Sequence, residues 1–169
     1  MTVTKKKKNG YTFIGVIHSR FPKPEGTPIQ PAFSDAAPGT IEIYPEFAAG
    51  LKDLEGFERI WLLYHLHLVS GMYLTVKPFL DVALHGIFAT RSPARPNPIG
   101  LSAVRLIGIQ GRVLSIEGLD VIDDTPLLDI KPYMPKFDAY PESRAGWFET
   151  ASGGVTRADD RFMHRKEKP

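Results

Sequence analysis

The sequence predicts a mostly β fold, a barrel or a sandwich, with short helical turns and long Pro-rich loops. Its runs of β-branched and aromatic residues are short and punctuated by Gly, Pro, Asn and Asp, the pattern of many brief strands joined by turns. Apolar residues at helical spacing are scarce, and Gln110-Gly111 between two apolar runs is a hairpin signal.

Residues 1–9, with lysines at 5–8, read as a disordered basic arm, a solvated tail before a phosphate contact. Residues 10–141 form the folded domain and 142–169 a C-terminal tail. Residues 11–17 alternate like a strand. Residues 20–38 hold five prolines and form a long loop, and loops of that length are usually functional or disordered. A short strand at 40–44 precedes one or two helical turns at 45–54. The most hydrophobic run, 58–68, predicts a strand buried on both faces. Another strand is expected at 82–90, then a hairpin of 101–109 and 113–119. Residues 120–131 are extended and broken by Pro126; beyond Pro132, Pro, Gly, Ser and charge dominate and the end should fray.

Composition narrows the function classes. With 169 residues, 43% of them hydrophobic, the chain can build one core. The absence of cysteine excludes a disulfide scaffold, a thiolate metal site and a Cys nucleophile, and fits a reducing compartment. No apolar run reaches the roughly 18 residues of a membrane span, and the N-terminus lacks a signal-peptide core. A cytoplasmic protein with no membrane partner is expected. A net charge of +2 permits an RNA partner without requiring one.

Chemistry concentrates in Arg91-Ser-Pro-Ala-Arg-Pro-Asn-Pro98. Each proline fixes its own φ and drives the preceding residue toward extended geometry, so Ser92, Arg95 and Asn97 stand on stiff backbone. Such stiffness suits a site that aims guanidinium and amide donors, because preorganised groups lose less entropy on binding. His65 and His67 share a face of the expected strand; a metal pair there lacks partner ligands, and no metal is expected. His67 reads instead as a pocket hydrogen-bond partner or a core histidine. Asp123, Asp124 and Asp129 fit either acid–base carboxylates or an Asp-Thr turn that caps amides. Phosphate-loop, Rossmann and nucleophile-elbow motifs do not occur.

Residues 88–102 and 123–133, with the run Gly56 to His67 and the opening Ile14-Gly-Val-Ile-His-Ser19, resemble the TsaA-like (TrmO) family over residues 11–140. The resemblance implies a small antiparallel β barrel that forms homodimers and binds S-adenosyl-L-methionine near the subunit interface. It implies methyl transfer to N6 of a threonylcarbamoyl-modified adenosine beside the tRNA anticodon. Carried over position by position, the family's cofactor contacts fall on Ile29, Gln30, Pro31, His67, Leu68, Arg91, Leu101, Asp123, Asp124, Thr125 and Pro126. Arg91 suits the methionyl carboxylate, and Leu68 and Leu101 suit the apolar parts of the adenosine. Arg95, Asn97, Lys131 and Tyr133 are the expected acceptor-binding residues, Tyr133 by stacking on a base. No general base is assigned, since an activated methyl group mainly needs alignment. Two positions depart from the family: Ile29 stands where an arginine is usual, and Asp124 where glycine is common. The larger bacterial members also carry a C-terminal extension. The same cofactor with a small-molecule acceptor is one alternative. A non-catalytic RNA-binding barrel is another, opposed by the placement of Phe57, Trp61, Tyr64 and Phe88 in core-like runs.

Overall fold

The structure, a computed structural model, describes residues 10–151 and 153–162. The basic arm and the chain from 163 onward lie outside the described residues. Six strands close into an antiparallel barrel: β1 (Gly15–Ser19), β2 (Pro38–Ile43), β3 (Arg59–His65), β6 (Ile99–Gln110), β7 (Val113–Glu117) and β8 (Thr125–Pro132). Around the barrel the order is β1-β2-β7-β6-β3-β8. Two short strands, β4 (Thr75–Val76) and β5 (His85–Gly86), pair outside it. The helical turns are 3-10, at Pro45–Leu51 and Leu54–Gly56 among others, and the one α-helical turn among the described residues is α1 (Pro135–Asp138).

Alternation builds the core. Ile60, Leu62 and Tyr64 of β3 point inward, as do Val104 and Leu106 of β6, Leu114 and Ile116 of β7, Ile41 and Ile43 of β2, Ile17 of β1 and Leu127 of β8. Each such aliphatic side chain contributes about 1.5–3 kcal/mol by leaving water. The strand expected to be buried on both faces is therefore buried on one: Trp61, Leu63 and His65 face outward and are only partly covered. Closure of the barrel gives every strand an outer face, and β3 has no second layer above it.

The hairpin forms as expected, with Gly111 at φ +60 in a two-residue turn between the paired Gln110 and Val113. Pro126 lies inside β8 rather than breaking it. It pairs with Val16 of β1, while the β3 ladder covers only residues 127–132, so the missing N–H costs no bond there. The strand expected at 82–90 is reduced to β5 and a 3-10 turn at Ile87–Ala89. The barrel is already closed, so no edge remains for this segment to join. Phe88, expected in the core, is 79% exposed.

Antiparallel closure divides the connections between two ends. The end where β1, β3 and β7 finish and β2, β6 and β8 begin carries the loops 20–37, 66–98 and 118–124. The opposite end carries the tight hairpin, the connection 44–58 with its 3-10 turns at Pro45–Leu51 and Leu54–Gly56, and the exit to α1. No helix of the described residues is long and apolar enough to cross a membrane.

Candidate functional site

The long loops enclose a cavity of about 990 Å³ at their end of the barrel. Its floor is the barrel's own mouth, where Tyr64 of β3, Gly100 and Leu101 of β6 and Thr125 of β8 face the opening. Its walls are the loop at 24–33, residues 66–69, the proline loop at 91–97 and the segment 120–122.

The proline loop is as rigid as its sequence implies. Ala94 is fully buried, and its carbonyl accepts from the Tyr73 amide at 3.1 Å. The Pro98 carbonyl accepts from Leu66 N–H at 2.8 Å, and the Arg95 guanidinium donates to the Thr90 carbonyl at 3.2 Å. Thr90 Oγ1 in turn bonds the Ile87 carbonyl at 3.0 Å. Arg95 thus serves partly as an internal brace, although it and Asn97 both line the cavity. Ser92 is 9% exposed and its buried hydroxyl has no partner among the described residues. A buried polar atom left unpaired costs about 1–3 kcal/mol, and this one belongs to a residue that lines the cavity.

Across the opening, Gln30 Oε1 accepts from Arg91 Nη1, and Gln30 Nε2 donates to the Ile29 carbonyl at 2.6 Å. Ile29, Gln30, Arg91, His67, Leu68, Leu101 and Thr125 all line one cavity. Burial holds the His67 imidazole below the usual histidine pKa, which favours its neutral form.

The turn at 122–125 is pinned to the end of β1 rather than opened to the cavity. Asp123 Oδ1 accepts from Ser19 N–H at 2.9 Å, the Asp123 N–H donates to the Phe21 carbonyl at 2.8 Å, and Thr125 Oγ1 donates to the Ile122 carbonyl at 2.7 Å. Asp124 has φ +58, a left-handed conformation that aspartate tolerates and glycine adopts freely. His18 Nδ1 lies 3.3 Å from Asp124 Oδ1 and 3.6 Å from Asp123 Oδ1.

Several expected site residues therefore stand outside the cavity. Pro31, Asp123, Asp124 and Pro126 flank it without lining it. Lys131 and Tyr133 do not line it either, because β8 carries them away from the mouth by roughly 3.3 Å per residue. At the far end Lys131 Nζ pairs with Asp129 at 2.8 Å, and the Tyr133 ring sits 5.4 Å from Trp61.

Other lining groups escaped the sequence reading. Asp120 and Tyr64 face the cavity, joined behind its wall by Ser102: the Ser102 hydroxyl donates to Asp120 Oδ1 at 2.6 Å and lies 2.9 Å from Tyr64 Oη. Desolvation raises the Asp120 pKa to about 6, opposed by Ser102, its own backbone and Arg91. Desolvation also pushes the Tyr64 phenol up. In place of a frayed tail, described residues after 145 pack against the opening. Trp147 Nε1 donates to the Ala89 carbonyl at 2.7 Å and its ring stacks on His85 at 4.5 Å. Ala158 exchanges backbone bonds with Gly26 and Thr27 at 2.9 and 2.7 Å. The signal available in the sequence was Trp147-Phe148, an aromatic pair in an otherwise polar stretch.

The family model described as the tRNA-methyltransferase O N-terminal domain matches residues 16–139. The chain belongs to this family. A probable S-adenosyl-L-methionine-binding protein of Pyrococcus abyssi is 48% identical over 150 residues, covering 89% of this chain and 82% of that one. The tRNA (adenine(37)-N6)-methyltransferase of Escherichia coli is 35% identical over 148 residues, covering 82% of this chain and 63% of that one. The crystal structure of TrmO from Pseudomonas aeruginosa superposes with a TM-score of 0.70 at 39% identity, covering 83% of this chain and 62% of that one. The chain thus spans less than two thirds of the length of the two bacterial relatives and most of the archaeal one. The expected barrel and family stand.

Proposed function

We infer that the protein is an S-adenosyl-L-methionine-dependent methyltransferase acting on N6 of an adenosine in tRNA. The threonylcarbamoyl-modified adenosine beside the anticodon is its acceptor. One observation carries the reading: Gln30 and Arg91, distant in sequence, meet at the mouth of a single cavity that Leu68 and Leu101 also line.

The donor set fits the cofactor. Arg91 offers a fork for a carboxylate, held in direction by Gln30. The unpartnered Ser92 hydroxyl gives a polar ligand group a partner the fold does not supply. Leu66, Leu68, Leu101 and Ile122 give apolar walls for a nucleoside, and the cavity lies at the upper end of the range for small-ligand sites. Bound there, the cofactor supplies a methyl group already activated on a sulfonium sulfur. The chain's task is to hold and align: Arg91 anchors, the proline loop keeps Arg95 and Asn97 at the cavity for the acceptor, and His67 stays uncharged beside a cationic ligand. The relatives named for tRNA methylation and for S-adenosyl-L-methionine binding support the same assignment, and a tRNA-modifying role agrees with a cytoplasmic protein.

The same reading includes a homodimer. Phe88 and Leu101 line the cavity yet are 79% and 51% exposed, and Leu74, Val82 and Leu84 are exposed on the adjoining segment. An apolar rim of this kind is the surface a second copy covers. Light scattering of the free protein at micromolar concentration is expected to give twice the chain mass; a monomer that binds cofactor at full affinity contradicts the dimer. The cofactor assignment is tested by calorimetry with S-adenosyl-L-methionine: one site per chain is expected, and absence of binding heat up to millimolar ligand contradicts it.

A further inference from the structure

The geometry points to Asp120 as the group that takes the proton released in methyl transfer, with Ser102 and Tyr64 as the residues that position it. The inference rests on the methyltransferase reading of the cavity. Transfer to the carbamoylated N6, which carries a single hydrogen, forms an N–C bond from the nitrogen electron pair and breaks a sulfonium C–S bond. That bond's electron pair stays on sulfur as a neutral thioether. The nitrogen also loses one proton, which needs an acceptor within the water-poor site. Among the described residues, Asp120 caps no helix and makes no ion pair.

Its setting is built for the task. Asp120 follows Gly118 and Leu119 at the start of the connection from β7 to β8, and Leu119 is fully buried, which anchors the backbone beside the mouth. Ser102 is inward-facing on β6 and 1% exposed. It has a single proton, given to Asp120 Oδ1 at 2.6 Å, so the bond of 2.9 Å between Ser102 Oγ and Tyr64 Oη is donated by the phenol. The chain of donors runs from Tyr64 through Ser102 to the carboxylate and fixes one carboxylate oxygen of a residue that lines the cavity. Gly100 makes the arrangement possible, since a Cβ there would lie 2.1 Å from Tyr64 Cε2.

The carboxyl is also tuned. A proton acceptor works best with a pKa near the working pH, and desolvation lifts Asp120 to about 6 while Ser102 and Arg91 hold it down. The titratable and charged side chains lining the same cavity are Tyr64 from β3, His67 just beyond it, Arg91 and Arg95 from the proline loop, and Asp159 from the C-terminal segment. Of these, Arg91 is the one whose charge bears on Asp120, so a carboxylate paired with Arg91 leaves Asp120 more basic.

The test compares wild type, D120N and S102A of the full chain by three measurements. These are calorimetry with S-adenosyl-L-methionine, single-turnover methyl transfer to tRNA from about pH 5 to pH 9, and carboxyl-carbon NMR titration of Asp120. D120N is expected to keep cofactor affinity within about twofold and to lose about 100-fold or more in transfer rate, the scale of general-base catalysis. In S102A the carboxylate loses a hydrogen bond that favours its charged form, so its titration and the acidic limb of the rate profile both move to higher pH. D120N with wild-type transfer overturns the role, as does D120N that loses cofactor affinity, which makes Asp120 a cofactor ligand. An acidic limb that stays in place in S102A while the NMR titration moves also overturns it. A wild type that binds cofactor but methylates no tRNA overturns the functional reading and this role together.

Discussion

Arg91 reaches Gln30 across 61 positions of sequence, and its guanidinium, exposed at the cavity mouth, is the cation best placed for an anionic ligand group. Removing one charge-assisted pair costs about 1.5–3 kcal/mol, so Arg91→Ala is expected to weaken S-adenosyl-L-methionine binding by roughly tenfold to a hundredfold. Arg91→Lys restores little, because an ammonium lacks the fork that Gln30 and a carboxylate share. Titration of the folded variants checks both. Asp120 makes a second prediction, on stability. Its folded pKa is raised from 3.8 to about 6, so the folded state binds the extra proton between those values. The stabilisation is complete below pH 3.8 and is lost as pH rises through 6. Asn at this position avoids the charged form, so D120N should be more stable than wild type by roughly 1–3 kcal/mol at neutral pH. Urea unfolding at neutral pH and near pH 4 should show that advantage shrinking on acidification.

Residue by residue, proline stiffening pointed to Arg91, Arg95 and Asn97, whereas Gln30, His67, Leu68 and Leu101 came from the family resemblance; all of them line the cavity. Asp120, Tyr64 and Ser102 were not legible. Each looks like an ordinary residue of a strand or its end, and only barrel register puts all three at one mouth. For Lys131 and Tyr133, nearness in sequence to the turn at 123–126 becomes distance from the cavity once β8 is extended.

At the scale of elements, the hairpin of β6 and β7 was readable from Gly111 alone, whose positive φ suits glycine. The reduction of 82–90 to a short pair was not, since local β propensity does not reveal that the barrel closes without it. Strand β6 carries a demand of its own at Gly100, where β3 brings the Tyr64 ring against the backbone. Gly100→Ala forces that ring to move, and overpacking of this kind costs about 1–3 kcal/mol. The variant should unfold at lower denaturant and show altered Tyr64 fluorescence or NMR shifts, whereas Gly108→Ala, with open space around its Cβ, should leave the Tyr64 signals in place.

For the whole molecule, antiparallel closure puts the loops 20–37, 66–98 and 118–124 at one end and the connection 44–58 and the hairpin turn at the other. The barrel is therefore a rigid base with a single equipped mouth, and the C-terminal residues 153–162 lie back over that mouth against the loop at 24–31. Arg157 closes this contact through Asp35 at 2.7 Å, and Arg161 lies 4.4 Å from the Phe79 ring. The proposed methyl transfer to adenosine N6 in tRNA is read most directly by incubating the purified protein with methyl-labelled S-adenosyl-L-methionine and tRNA carrying or lacking the threonylcarbamoyl group. Label is expected on N6 of the modified adenosine and none on tRNA lacking the modification; label on neither tRNA, with cofactor demonstrably bound, contradicts the proposal.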